Sequence, residues 1–238
     1  LRSEGKVFEI ISGKEQINLL RNLMKRKRLD MSVGTLLREI SLAKNNLIGV
    51  EEFKALYESD KLMSKVANIY ESYEKEKAKK YLLDFDDLLL ETYFLLNNNN
   101  AVREKYAGRY HHILIDEFQD TNPVQLEIIK LIVDTDNDND KSYWIAGDDW
   151  QSIYSFAGAS VNNILNFQST FSSSKLFILN INYRSTPQIL KACQNLISHN
   201  VRKIEKTLKT DNPGGDEVIV LESSSEEGEA LCLVNEMN

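Results

Sequence analysis

The stretch that most limits what this chain can fold into is residues 111 to 121, His-His-Ile-Leu-Ile-Asp-Glu-Phe-Gln-Asp-Thr, where a short apolar run stops in a cluster of carboxylates. Ile113, Leu114 and Ile115 are adjacent, apolar and mostly β-branched, the pattern of a strand buried on both faces of a parallel sheet. Asp116, Glu117 and Asp120 follow its carboxyl end. Open α/β sheets bind ligands at that edge, so acids there are placed to hold a metal and orient a water. Acids are also ordinary turn residues after a strand, and from this run alone both readings stand.

The second half of the chain repeats the strand signal. Tyr143 to Ala146, Leu176 to Leu179 and Val218 to Leu221 read as further strands, the first ending in the turn Gly147-Asp-Asp149. Helical patterns cover Pro123 to Val133, Pro187 to Ile197 and Glu226 to Met237, with proline in the first turn of the first two. Strand alternating with helix predicts an α/β fold with a parallel sheet. Asp134 to Asp140 invites a calcium-loop reading and fails it. Counted from Asp134 or Asp136, the sixth position is Asn139 or Lys141 where glycine is needed, and the twelfth is Ile145 or Gly147 where glutamate is needed. That stretch is expected to be a solvated loop.

Residues 7 to 80 carry almost no strand signal. Helices are expected over Lys14 to Lys27, over Val33 to Ala43 behind the N-cap Ser32, over Glu51 to Tyr57, and from Asp60 to about Lys80. In Tyr81-Leu-Leu-Asp-Phe-Asp-Asp-Leu-Leu-Leu90, Asp84 can cap a helix running through Leu96, after which Asn97 to Asn100 reads as a polar turn.

Three of these strings occur together in a recognisable order. Asp116-Glu-Phe-Gln-Asp-Thr121 resembles the Walker B region of UvrD/Rep-type DNA helicases. Ile145-Ala-Gly-Asp-Asp-Trp-Gln-Ser-Ile-Tyr-Ser-Phe-Ala-Gly-Ala159 is similar to the family's third motif, and Leu179-Asn-Ile-Asn-Tyr-Arg-Ser185 to its fourth. Trp150 and Phe156-Ala157-Gly158 bring the third motif closer to the helicase IV branch. Asp84-Phe-Asp-Asp-Leu88 matches a string the family carries before its Walker B strand. The resemblance implies a partial RecA-like P-loop NTPase sheet with an all-helical insertion subdomain at residues 1–80, the second half of the first motor domain at 81–181 and the start of the second at 182–238. It also implies an ATP-dependent DNA helicase with a place in DNA repair, whose insertion contacts duplex DNA.

Composition agrees with such a division. The chain has 238 residues and a net charge of −7, too acidic overall to coat nucleic acid by charge alone. Residues 1–80 hold 17 Lys and Arg against 12 Asp and Glu, and the remainder 12 against 24, a +5 segment joined to a −12 segment. A basic surface near DNA attached to an acidic nucleotide-handling body has this asymmetry. The basic clusters Lys25 to Arg28 and Lys75 to Lys80 could meet phosphates, and they could equally be solvated helix faces. No stretch approaches eighteen apolar residues, so no membrane is expected. Two cysteines, Cys193 and Cys232, form no framework, which makes a reducing cytoplasm the default. The chain opens Leu1-Arg-Ser-Glu-Gly without a Met, so an internal piece of a longer protein is expected.

ATP hydrolysis needs Mg²⁺ on the phosphates, a group to orient water, and cations for the charge developing on the γ-phosphoryl. By resemblance Asp116 holds Mg²⁺, Glu117 positions the water, Gln151 senses the γ-phosphate, Arg184 reaches it as an arginine finger, and Tyr183 stacks on adenine. Phe85, Tyr154 and Phe156 meet single-stranded DNA, where aromatic faces accept any base. Phe85 could instead pack beneath its helix, Phe156 and Tyr183 could be core, and Arg184 an ordinary surface arginine. The three histidines show no metal spacing.

Two departures from the family stand out. Ala157 occupies the place of an arginine common in the third motif, and neither a G-x-x-x-x-G-K-[ST] string nor the final arginine-bearing motif is present. This chain is therefore expected to be inactive alone. The alternatives are a non-catalytic nucleic-acid binding module, or a metal-dependent nuclease using Asp116, Glu117, Asp120 and Asp148.

Overall fold

A computed structural model of the chain describes residues 1–133, 141–155 and 158–237. The loop expected at Asp134 to Asp140 lies outside them. The described residues form two compact units, Leu1–Ser172 and Ser173–Asn238.

The first unit opens with four helices whose starts are written in the sequence. α1 spans Gly13–Lys27, α2 Val33–Asn45, α3 Val50–Leu56 and α4 Lys61–Lys79. Ser32 Oγ accepts the N–H of Thr35, and Asp60 accepts those of Leu62 and Met63, so α2 and α4 begin at side-chain caps, each worth about 1 kcal/mol. Their apolar faces meet in one core around Leu20, Leu36, Ile40, Phe53, Val66 and Tyr70. Leu82–Leu83 (β2) returns to pair in parallel with Glu9–Ile10 (β1), a short two-stranded sheet that the first eighty residues gave no sign of.

The same core contains charge. α4 carries Val66, Tyr70, Tyr73 and Lys77 on one stripe, all buried, so Lys77 of the basic cluster points inward while Lys75, Lys79 and Lys80 face solvent. Its Nζ lies 2.9 Å from Asp84 Oδ2 and also pairs with Asp87; Lys44 Nζ, from α2, lies 2.8 Å from Asp84 Oδ2 and 2.6 Å from Asp87 Oδ1. Glu74 Oε1 closes the group at 2.8 Å from Lys44 and 2.9 Å from Lys77. Tyr73 donates to Asp84 Oδ2 at 3.0 Å and accepts from Gln16. Burial opposes the charge of Asp84, but the two ammonium groups outweigh it and hold that carboxyl well below its usual range. Burial likewise opposes the charge of Lys44, and Glu74, Asp84 and Asp87 reverse that and hold the ammonium well above its usual range.

Asp84 and Asp87 also form a capping box at the start of α5, Phe85–Asn98, each accepting the other's backbone N–H. The same two carboxylates thus start α5 and fasten it to α2 and α4. The expected turn at Asn97 to Asn100 is instead a junction. α5 runs to Asn98, and α6, Asn100–Ala107, begins at once because Asn99 caps it by accepting the N–H of Val102 at 3.1 Å.

His112–Ile115 (β3) and Ser142–Ile145 (β4) then pair in parallel, with α7, Pro123–Val133, between them in sequence. The expectation of burial on both faces does not hold. The strand alternates exposed and half-buried residues, with Leu114 74% and Trp144 56% accessible, because no described element covers that face. The opposite side rests on an aromatic cluster of Phe118, Tyr143, Phe167 and Phe171, with Phe118 and Phe167 edge to face at 5.7 Å. Phe167 belongs to the short α9, Phe167–Thr170, which follows α8, Asn162–Leu165.

In the second unit, α10 spans Pro187–Ser198 behind the cap Thr186, and α11 spans Glu226–Met237. The strands expected at Leu176 to Leu179 and Val218 to Leu221 are not formed. Both runs find no ladder partner among the described residues, and Leu179 and Val220 are almost fully exposed. One parallel bridge, Ile181 with Lys209, is the β pairing described there.

Asp84 Oδ2 accepts from both ammonium groups and from Tyr73, so Asp84→Asn weakens three buried contacts at once and should lower unfolding stability by about 3–5 kcal/mol in a urea titration. A loss below about 1 kcal/mol would remove the cluster's structural role. Because the folded carboxyl titrates below its unfolded value, its contribution should be complete above about pH 4 and disappear as pH falls through the depressed folded value.

Candidate functional site

Parallel pairing in register brings the carboxyl ends of β3 and β4 to one edge. Ala146 donates to the Ile115 carbonyl at 2.8 Å and Phe118 donates to the Ala146 carbonyl at 3.0 Å, so the segments after the two strands run side by side. Asp116 and Glu117 leave β3 exposed to solvent. Asp116 Oδ1 accepts the N–H of Glu117 at 2.9 Å. Glu117 adopts the left-handed conformation, φ 48°, which costs a residue with a side chain about 1–2 kcal/mol and turns the chain sharply into the 3₁₀ turn Phe118–Asp120. One carboxylate oxygen of Asp120 is enclosed without a hydrogen-bond partner among the described residues, so this acid faces inward and not out with Asp116 and Glu117.

Gln119, to which the family resemblance assigns no role, joins the two edges. It is buried; its Nε2 donates to Glu117 Oε2 at 2.7 Å, and its Oε1 accepts the N–H of Asp148 at 3.0 Å. Asp148 in turn accepts from Gln151 Nε2 at 2.7 Å through Oδ2 and from Trp150 N–H at 3.1 Å through Oδ1. An unbroken hydrogen-bonded path therefore runs Glu117, Gln119, Asp148, Gln151, and fixes the side chains expected to orient water and to sense phosphate. Gly147 makes room for it, since a Cβ there would stand 2.6 Å from Gln119 Oε1 and 3.2 Å from the Phe118 nitrogen. No sequence signal marks Gln119; only the 3₁₀ turn in which it sits, two residues after Glu117, points its amide back across the strand ends.

Of the residues expected to meet DNA, Phe85 is the first residue of α5 and is 63% exposed, so it does not pack beneath its helix as a staple. The capping box explains this: Asp84 and Asp87 turn inward to the lysines, and the residue after Asp84 points out. Phe85 lines a groove of about 500 Å³ with Leu37, Arg38, Ser41, Asn45 and Asp86. Burial, with the charge of Asp84 adding to it, holds the Asp86 carboxyl above its usual range. Tyr154 is about half exposed, and Phe156 lies outside the described residues, as does Ala157. In the second unit, Asn182 Oδ1 accepts the N–H groups of Arg184 at 2.9 Å and Ser185 at 2.7 Å, a turn that leaves Tyr183 80% exposed and Arg184 exposed as well. Tyr183 is not core.

Asp116 fits a Mg²⁺ ligand by chemistry, since it is a hard carboxylate oxygen donor at an open edge where the ion can keep most of its waters. Among the described residues, Glu74, Asp84 and Asp87 also converge, each with an oxygen within 4.8 Å of the others. The ammonium groups of Lys44 and Lys77 occupy that space, so the cluster is an ion-pair core.

Residues 3–172 match the UvrD/REP helicase N-terminal domain and residues 177–238 the UvrD-like helicase C-terminal domain. The chain belongs to the UvrD/Rep helicase family. It is 34% identical to the ATP-dependent DNA helicase PcrA of Staphylococcus epidermidis over 97% of this chain and 31% of that protein. It is 34% identical to the ATP-dependent DNA helicase Rep of Buchnera aphidicola, over 97% of this chain and 35% of the relative. For the ATP-dependent DNA helicase UvrD1 of Mycobacterium tuberculosis the figures are 32%, 97% and 31%. The chain thus spans about a third of the length of these relatives. The nuclease and binding-module alternatives gain no support from them. No helix among the described residues is long and apolar enough to cross a membrane.

Because its ring is exposed, Phe85→Ala should change thermal stability by less than about 0.5 kcal/mol. A drop in melting temperature comparable to that of a core substitution would show that the ring is packed.

Proposed function

We propose that this chain is the central part of an ATP-dependent DNA helicase that moves along single strands and opens duplex DNA. Its first 80 residues are the helical insertion, 81–181 the second half of a RecA-like motor domain, and 182–238 the start of another. The observation that carries the reading is the path from Glu117 through Gln119 and Asp148 to Gln151, which joins the Walker B region and the third motif at the ends of two parallel strands. In this reading Asp116 holds Mg²⁺, which supplies charge neutralisation on the phosphates when bound. Glu117 orients the attacking water, and the Gln119 amide keeps its carboxylate turned to the strand edge. Gln151, held by Asp148, contacts the γ-phosphate. Tyr183 stacks on adenine and Arg184 neutralises charge on the transferring group, roles supported by their exposure on a turn fixed by Asn182. Phe85, Tyr154 and Phe156 bind single-stranded DNA by stacking. A place in DNA repair and in the cytoplasm follows from the same family reading. The nearer likeness to the helicase IV branch rests on the third motif alone.

In the full-length protein, Glu117→Gln should cut DNA-stimulated ATP turnover by about 10²–10⁴-fold while nucleotide binding persists, because the amide keeps the size of the side chain and loses its charge. Turnover within a few-fold of the unmodified protein would remove Glu117 from the mechanism. Phe85→Ala should weaken binding to oligo-dT by about 1–3 kcal/mol with little dependence on base sequence.

The 238-residue chain by itself should neither bind Mg-ATP with micromolar affinity nor release phosphate, since triphosphate affinity comes mainly from a glycine-rich loop and lysine at a helix N-terminus, and this sequence contains no such string. Calorimetry with Mg-ATP decides it; micromolar binding would reveal a phosphate site elsewhere in the chain.

A further inference from the structure

Asn45, at the end of α2, is buried and meets three separate segments of the first unit. Its Oδ1 accepts a hydrogen bond at 3.0 Å from Nδ2 of Asn122, which is also buried and lies 77 residues away in sequence. Its own Nδ2 donates to Asp86 Oδ1 at 3.4 Å and to Ser41 Oγ at 3.3 Å. Its Cβ lies 3.3 Å from where a Cβ would stand on Gly158, whose φ of +91° belongs to glycine.

Ser41 lies in the same helix, and the other three contacts each lead to a different motif. Asp86 follows Phe85 in the groove that Asn45 and Asn122 both line. Asn122 directly follows the string Asp116 to Thr121. Its Oδ1 accepts the N–H of Gln125 at 2.9 Å, so the residue that reaches Asn45 also fixes the first turn of α7. Gly158 is the penultimate residue of the third motif, and the segment that follows is tied back to Thr121, whose carbonyl accepts from Ser160 N–H at 3.1 Å and from Asn163 Nδ2 at 2.9 Å. A buried amide left without its partner costs as much as the group's desolvation, so these segments cannot slide past one another singly. They move together or break the amide pair.

We propose that Asn45 is a positioning residue that transmits changes at the Asp116–Glu117 edge to the Phe85 groove, so that the nucleotide state sets affinity for single-stranded DNA. The inference rests on the helicase reading above. Asn45→Ser and Asn122→Ser, singly and together in the full-length protein, test it by oligo-dT affinity with and without Mg²⁺ and a non-hydrolysable ATP analogue, alongside ATPase with and without oligo-dT. The unmodified protein should show both nucleotide-dependent affinity and DNA-stimulated turnover. Each variant should melt cooperatively, bind nucleotide normally, and lose at least about fivefold of the nucleotide-dependent change in DNA affinity, with the double variant losing no more than either single one. Coupling retained in both variants, losses that multiply in the double variant, or failure of both to fold would overturn the proposal. An unmodified protein with neither ATPase nor single-strand binding would sink the helicase reading itself, an outcome distinct because it needs no substitution.

Discussion

Two lysine ammonium groups enclosed by three carboxylates fix three helices of the first unit against one another. Lys44 comes from α2, Lys77 and Glu74 from α4, and Asp84 and Asp87 from the start of α5. A greasy contact tolerates a shift of an ångström; a buried ion group does not, because each displaced charge loses its partners in a low-dielectric surrounding. α2, α4 and α5 are therefore joined with a fixed geometry. The exposed position of Phe85 is a by-product of that joint, since Asp84 before it and Asp87 two residues after it are committed inward.

The second fixed point is the shared edge of β3 and β4. Parallel strands in register end together, so the acids after one and the turn after the other become neighbours without any long-range search. What then matters is fine placement. Gln119 supplies it by giving one end of its amide to Glu117 and the other to the Asp148 backbone, so two segments about thirty residues apart in sequence share one side chain.

Much of the local structure was legible. The caps Ser32 and Asp84 and the proline starts of α7 and α10 follow rules that need only near neighbours, and those helices form where the sequence places them. What was hidden depends on contacts between distant residues. Lys77 reads as one more charge in a basic run, although its spacing from Tyr70 and Tyr73 puts it on the buried stripe. Asn45 and Gln119 have no composition signal at all, because an amide becomes informative only when its partners arrive from elsewhere. The strands at Leu176 to Leu179 and Val218 to Leu221 failed for the converse reason: an apolar extended run is a strand only when another backbone lies beside it, and none of the described residues does so. The strand ends carrying Asp116, Glu117 and Asp148 were readable as an edge, and the amide that organises them was not.

Gly147 shows how a position can be constrained without any chemistry of its own. The space where its side chain would begin is already filled by the carboxamide oxygen of Gln119 and by the Phe118 backbone. Even a methyl group would push the amide aside, and the displaced amide would release Glu117 on one side and the Asp148 backbone on the other. The smallest residue in the turn therefore acts as a spacer, setting the separation at which two functional segments can exchange hydrogen bonds. Any drift at this position would be felt as lost alignment between the carboxylate and the glutamine, with every group that does the chemistry still present.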